Sequence, residues 1–171
     1  MNPAAIRINS ADLSDPADAA ALIELLDSYA ADAMGASSPL SATTRRDLVP
    51  RLRAFPGVSV LLARVGDTPA GVAVCFTGFS TFRARPLTNV HDLAVAPRWR
   101  GQGIGRRLLE TVVDLARARG HCKVTLEVRE DNAAARALYR RLGFGAGDCG
   151  GQAVPYLFLE KRLREEEGSA S

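Results

Sequence analysis

The chain has 171 residues, of which 47% are hydrophobic and 24% charged, with a net charge of +3. That composition suits one globular domain with a proper core and excludes fibrous or disordered classes. Only 6% of the residues are aromatic, and no nucleic-acid motif accompanies the mild basicity, so no nucleic-acid partner is expected. Cys75, Cys122 and Cys149 are odd in number and lack metal-ligand spacing, so reduced thiols and no metal are expected. No window is apolar enough to span a membrane. Met1 to Arg7 lacks the basic and apolar regions of a signal peptide, and a cytoplasmic protein is expected.

In chain order, Ala5 to Asn9 predicts a short strand. Asp15-Pro16 opens a helix with Leu22, Ile23, Leu25, Leu26 and Tyr29 on its apolar side. After the loop Gly35 to Pro39, Thr43 or Thr44 is the expected cap of a second helix that Pro56-Gly57 stops. Val58 to Val65 and Ala70 to Phe79 predict a hairpin around Gly66-Asp67-Thr68-Pro69. Core packing is expected for at least two of Phe76, Phe79 and Phe82. A turn at Arg83 to Pro86 leads to a strand from Thr88 to Ala96. Ile104, Leu108, Val112 and Leu115 form a helical stripe that ends before Gly120. Cys122 to Arg129 alternates as a strand, and Asn132 to Leu142 is a helix stopped by Gly143. A glycine-rich loop, Gly145 to Gly151, and a closing strand, Tyr156 to Leu163, complete a single domain over 1–163. The polar tail 164–171 is expected to fray. Hairpins followed by alternating strands and helices imply an α/β (α+β) fold, with a mixed sheet and helices on both faces.

The segment Asp92 to Gly105 carries the chemistry. A short apolar strand and a proline precede a turn with Gly101, Gly103 and Gly105 at a helix start. Helix-start amides lack intrahelical partners and sit at the positive end of the macrodipole, so such a turn suits an anion. Arg98, Arg100, Arg106 and Arg107 surround it. A nucleotide-triphosphate loop would need a Lys-Ser/Thr pair that is absent, and the dinucleotide fingerprint would need glycine where Arg106 stands.

What remains, Arg100-x-x-Gly103-x-Gly105, resembles the pyrophosphate-binding signature of the GCN5-related N-acetyltransferase (GNAT) family. Two further features support the resemblance: the preceding strand Leu93-Ala94-Val95, and Leu126-Glu127-Val128-Arg129-x-x-Asn132-x-x-Ala135-x-x-Leu138-Tyr139-x-x-x-Gly143-Phe144. The resemblance implies a mixed, mostly antiparallel sheet of six to seven strands flanked by four helices. It implies acetyl-CoA as co-substrate, with no metal. Arg100, Gly101, Gln102, Gly103, Ile104, Gly105 and Arg106 would hold its pyrophosphate. The strand at Leu93, Ala94 and Val95 would splay from its neighbour and offer backbone groups to the pantetheine arm. Asn132 is either a helix cap, a pantetheine contact, or both.

The implied reaction is direct transfer to an amine. An alkylammonium with a pKa of about 10 must first lose a proton. The departing thiolate then needs a proton, which by resemblance Tyr139 supplies. Two bases are candidates. Glu127, twelve residues before Tyr139, matches the spacing of bacterial ribosomal-protein alanine acetyltransferases. His91, two residues before Leu93 and so expected on the same strand face, matches arylalkylamine acetyltransferases, although Asn89 replaces their second histidine. Asp92 reads as a ladder-edge or helix-pairing carboxylate. The acceptor is expected between the N-terminal helices, the Arg83 to Pro86 turn and the loop Gly145 to Val154, with Arg83 and Arg85 either clamping a carboxylate or solvating the turn. A small or amino-acid-like amine is the favoured acceptor. A protein N-terminus or lysine, and a non-catalytic CoA-binding regulator, stand as alternatives. A homodimer follows only by family analogy.

Overall fold

Val58 to Val65 and Ala70 to Phe76 are apolar on both faces, a pattern that fits strands covered on both sides. The computed structural model, which describes residues 5–145, 148–149, 152–153 and 159–161, places them at the centre of a sheet. Its strands are β1 (Ile6–Ser10), β2 (Val58–Val65), β3 (Thr68–Ser80), β4 (Arg85–Val95) and β5 (Val124–Leu126), lying side by side in chain order. Neighbours run antiparallel except β4 and β5, which are parallel. A separate two-stranded ladder joins β6 (Asp148–Cys149), inside the expected glycine-rich loop, to β7 (Gln152–Ala153), directly after it.

Helices α1 (Pro16–Ala31) and α2 (Ala42–Ala54) cover one face, where Leu22, Leu25, Val49 and Leu52 meet Val60, Leu62, Val72 and Val74. On the other face α3 (Ile104–Ala118) sets Ile104, Leu108, Leu109 and Val112 against Leu61, Ala63, Ala73 and Cys75. Leu138 and Tyr139 of α4 (Ala133–Arg141), with Leu142 just after it, pack at the margin of that second cluster. Adjacent strand positions thus feed opposite cores. Gly71 lets α3 lie close to the sheet, because a Cβ there would come within 3.0 Å of Ile104 Cγ2 and the Ala94 carbonyl oxygen.

Local chemistry explains most helix ends. Asp15 caps α1 through the Ala17 amide, and Pro16 occupies the first turn. The cap of α2 is Ser41, which accepts from the Thr44 amide at 3.0 Å, so the expected cap at Thr43 or Thr44 is displaced upstream. Asn132 caps α4 by accepting from the Ala135 amide at 3.1 Å.

Two expectations change. The strand expected over Cys122 to Arg129 contracts to Val124–Leu126, which pairs with Thr88, Asn89 and Val90 and parts from β4 where that strand bulges at His91. Phe79 and Phe82 are exposed, Phe82 fully. The β3–β4 hairpin projects beyond β2, whose pairing with β3 ends at Phe76, so β2 does not cover its tip. The closing strand Tyr156 to Leu163 and the tail 164–171 lie outside the described residues apart from 159–161. No described helix is long and apolar enough to cross a membrane.

Cys75 is 2% exposed, and burial pushes its thiol up to about 12. A folded pKa raised above the unfolded value contributes stability that is complete below about pH 9 and lost as pH rises through about 12. That loss amounts to roughly 4 kcal/mol. Denaturant midpoints between pH 8 and 11 should therefore fall more steeply for the wild type than for Cys75→Ala; equal slopes would contradict the assignment.

Candidate active site

β4 and β5 pair for three residues, Thr88–Val90 with Val124–Leu126, and then part. Beyond that point β4 continues to Val95 with β3 as its one ladder partner. Hydrogen bonds alternate along an antiparallel strand. The Ala96 amide donates to the Ala70 carbonyl, so Ala94 and Asp92 direct their backbone groups to β3 as well. Leu93 and Val95 consequently turn theirs into the gap left by β5. Among the three expected strand positions, Ala94 therefore differs: its backbone belongs to the ladder, opposite Val72.

At the end of the gap lies the glycine turn. Pro97–Trp99 forms one 3₁₀ turn, followed by Gly101 at φ +76° and Gly103 at φ +79°. Both angles lie in the left-handed region that favours glycine. Gly103 is the cap of α3 and brings no side chain to it, leaving the first amides of the helix without a side-chain acceptor. A Cβ at either position would meet open space. Ile104, 1% exposed, anchors the turn in the core. Gly105 faces α4 and β4 together, its would-be Cβ 3.5 Å from Leu138 and 3.6 Å from Val95. The turn thus presents bare, positively polarised backbone to one end of an open cleft.

The basic side chains around it are largely occupied. Arg100 donates from Nε to the Val95 carbonyl at 3.1 Å and pairs with Asp32, at the end of α1, at 2.9 Å. Arg106 pairs with Glu110 one turn along at 2.8 Å. Gln102 donates to the Arg98 carbonyl, and the Arg98 guanidinium lies 5.7 Å from the Trp99 ring centre. The Arg107 guanidinium has no hydrogen bond or ion pair among the described residues. Arg85 donates to the Gly120 carbonyl at 2.8 Å, so it ties the hairpin to the α3–β5 turn.

From the opposite bank, Arg129 grips Asp131 through two bonds and reaches the Ala33 carbonyl at 3.3 Å. The turn after α1 is therefore tied to both sides of the cleft, through Asp32 and through Ala33. The Met34 amide, and then the Arg100 guanidinium, hold the Asp32 carboxyl below the usual carboxylate range.

β4 carries a bulge. Val74 pairs with Asp92 and Cys75 with Val90, which leaves His91 as the extra residue. The bulge breaks strand alternation, so His91 does not share the face of Leu93, as two-residue spacing had implied. Leu93 packs with the α3 cluster, whereas the His91 ring stands edge-on to Phe76, 5.5 Å between centres, on the α1 and α2 side. Asn89 donates to Thr125 Oγ1 at 3.1 Å and reaches the Glu127 carboxylate at 3.4 Å. The position that lacks a second histidine thus steadies the other candidate base, and Glu127 remains exposed. Tyr139 is half-buried, with its ring 6.1 Å from that of Phe144. Burial, and then the neighbouring Tyr29, raise its phenol above the ordinary value, so it is protonated at neutral pH.

Tyr29 was legible only as a member of the α1 apolar stripe. Burial, followed by the charges of Asp92 and Asp32, raises its phenol too. A lone phenol in an otherwise aliphatic stripe was the available signal. Among the described residues no group of three or more His, Cys, Asp or Glu is placed to hold a metal.

A mixed sheet whose parallel pair parts in front of a glycine-capped helix is an acetyltransferase architecture, and residues 21–144 match the acetyltransferase (GNAT) family. The chain belongs to that family. It is 45% identical over 82 residues to the N-alpha-acetyltransferase RimI of Mycobacterium tuberculosis (strain ATCC 25618 / H37Rv), covering 47% of this chain and 50% of that protein. It is 40% identical over 91 residues to streptothricin acetyltransferase of Streptomyces lavendulae, covering 53% and 44%. The chain thus spans half or less of the length of these relatives. The crystal structure of ribosomal-protein-alanine N-acetyltransferase from Brucella melitensis biovar Abortus 2308 shares the fold, with a TM-score of 0.67 at 20% identity, over 94% of this chain and all of that one.

Gly35 makes the double tether possible: a Cβ there would lie 2.0 Å from the Tyr29 carbonyl oxygen. Gly35→Ala should force the turn open and cost about 2–3 kcal/mol in chemical denaturation. A loss below about 0.5 kcal/mol would show that the turn is not constrained in this way.

Proposed function

We propose that the protein is an acetyl-CoA-dependent N-acetyltransferase that moves the acetyl group directly to a primary amine of a small or amino-acid-like acceptor in the cytoplasm. The observation that carries the reading is the open cleft. One end presents side-chain-free helix amides, one wall the backbone that Leu93 and Val95 turn away from β3, with the Val95 carbonyl held by Arg100, and the far bank a protonated phenol. Those groups fit a pyrophosphate and an amide-bearing arm, in that order.

Acetyl-CoA supplies an activated acetyl thioester when bound. The amides of Gly103, Ile104, Gly105 and Arg106 hold its phosphates, with Gly101 and Gln102 shaping the turn and Arg100 fixing the turn to β4. Leu93 and Val95 align the arm, with the Asn132 amide group shared between its helix and that arm. A fixed backbone amide of this stretch stabilises the negative charge that develops on the carbonyl oxygen. Glu127, steadied by Asn89, or His91 on the bulge accepts the proton that the amine must lose. Tyr139 gives its proton to the departing sulfur.

The similarity to the M. tuberculosis N-alpha-acetyltransferase favours one second reading, in which the acceptor is a protein N-terminus. The same reaction groups serve both. Peptides beginning with alanine and a panel of small amines, offered side by side, separate the two by kcat/KM.

Steady-state release of CoA thiol with such acceptors tests the proposal. Gly103→Glu, which sets a carboxylate where phosphate would lie, should abolish turnover. Tyr139→Phe should lower kcat by about 10²-fold or more with little change in the KM for acetyl-CoA. With a phenol raised above 10, the alkaline fall in wild-type kcat should lie above pH 10. Unchanged turnover in Tyr139→Phe would remove its role as donor, and no turnover with any amine or peptide would defeat the enzymatic reading.

A further inference from the structure

Three carboxylates are linked to the end of α1, Asp32 as its cap, Asp131 through Arg129 and Asp92 through its influence on Tyr29, and they are not alike. Asp32 is held by Arg100 and Asp131 by Arg129. Asp92 is half-buried, yet among the described residues its carboxylate has neither a hydrogen bond nor an ion pair. It follows the bulged His91 on β4, and its electrostatic neighbours are His91, the half-buried phenol of Tyr29 and the buried Cys75. The Tyr29 hydroxyl likewise makes no hydrogen bond among the described residues. Withdrawing a carboxylate from water without a partner is costly, so such a group is matched by a cation or else protonated. No arginine or lysine of the described chain supplies that cation: Arg129, close enough to influence Tyr29, is already committed to Asp131 and the Ala33 carbonyl.

The same side of β4 carries an aromatic row. His91 stands edge-on to Phe76, and Phe76 edge-on to Phe55 at 5.3 Å between ring centres. Phe55 is 55% exposed, so the row runs from the bulge outward to solvent. An apolar wall beside an unmatched carboxylate complements a molecule with an ammonium head and a carbon skeleton.

We propose that Asp92, with the Tyr29 hydroxyl beside it, seats the ammonium group of the acceptor, while Phe76 and His91 flank its carbon skeleton. The acceptor is then a cationic amine with an apolar body, and anionic acceptors are rejected by Asp92. This rests on the acetyl-transfer reading for what happens next, but the seat itself is a binding property. Because the seat lies on the α1 and α2 side of the bulge, an amine held there approaches β4 from the side away from α3.

The test compares n-hexylamine with its uncharged counterpart 1-hexanol, titrated into the CoA-loaded full-length protein and followed by calorimetry. The wild type should bind the amine at least tenfold more tightly than the alcohol. Asp92→Asn should erase that preference and leave affinity for 1-hexanol and the thermal shift given by acetyl-CoA unchanged. Where hexylamine is turned over, the variant should raise its KM at least tenfold, with a smaller change in kcat and none in the KM for acetyl-CoA. A wild type without the preference, an Asp92→Asn variant that keeps it, or a fall in kcat at constant KM would overturn the seat. Tyr29→Phe, which keeps the charge, should weaken hexylamine binding several-fold without abolishing the preference; an unchanged affinity would remove Tyr29 from it. Charge preference without turnover of any amine would leave the seat standing and defeat only the enzymatic reading.

Discussion

The parting of two parallel strands is the constraint on which this molecule's chemistry depends. β4 and β5 share three residue pairs, and the pairing stops at Val90, directly before the bulged His91. A bulge bends its strand and raises its local twist. β5 ends opposite, at Leu126, and the chain beyond it is held away by Arg129 and the cap of α4. The result is a strand with one side paired to β3 and the other without a ladder partner. Unused backbone groups in a sheet are ordinarily covered or become sticky edges; here they line a cleft closed at one end by the first turn of α3.

Positive character in that cleft comes from the backbone more than from side chains. Several arginines near the turn act as ties, Arg100 between β4 and α1 most clearly. Bare helix amides offer fixed dipoles that need no reorganisation, and two left-handed glycines keep the approach free of side chains. Exposed ion pairs such as Arg106–Glu110 add little stability, at about 0.3–0.5 kcal/mol. The value of the Arg100–Asp32 pair is geometric: it couples the acceptor-side turn to the loop expected to hold the phosphates.

The parts of this arrangement written in local chemistry were readable from the chain. The glycine turn, the α3 stripe, the Asn132 cap and the hairpins follow from turn residues and periodicity. The parting itself was available only through the family resemblance, since Cys122 to Arg129 alternates as though it were a full strand. Its length is set by the partner across the sheet, which sequence does not display. The bulge at His91 was hidden for the same reason: a single extra residue reverses which face a side chain occupies, and only the register of β3 against β4 reveals it. Asp92 and Tyr29 come together from elements more than sixty positions apart, and no local pattern announces them. The projecting Phe79 and Phe82 mislead in the other direction, because their burial depends on where β2 stops.

Amide hydrogen exchange in the presence and absence of acetyl-CoA tests the central claim most directly. If the unpaired wall and bare helix start are the binding surface, acetyl-CoA should slow exchange at Leu93, Val95, Ile104, Gly105 and Arg106. Ala94, already engaged by β3, should change least in that stretch. Protection elsewhere with these amides unchanged would contradict the account.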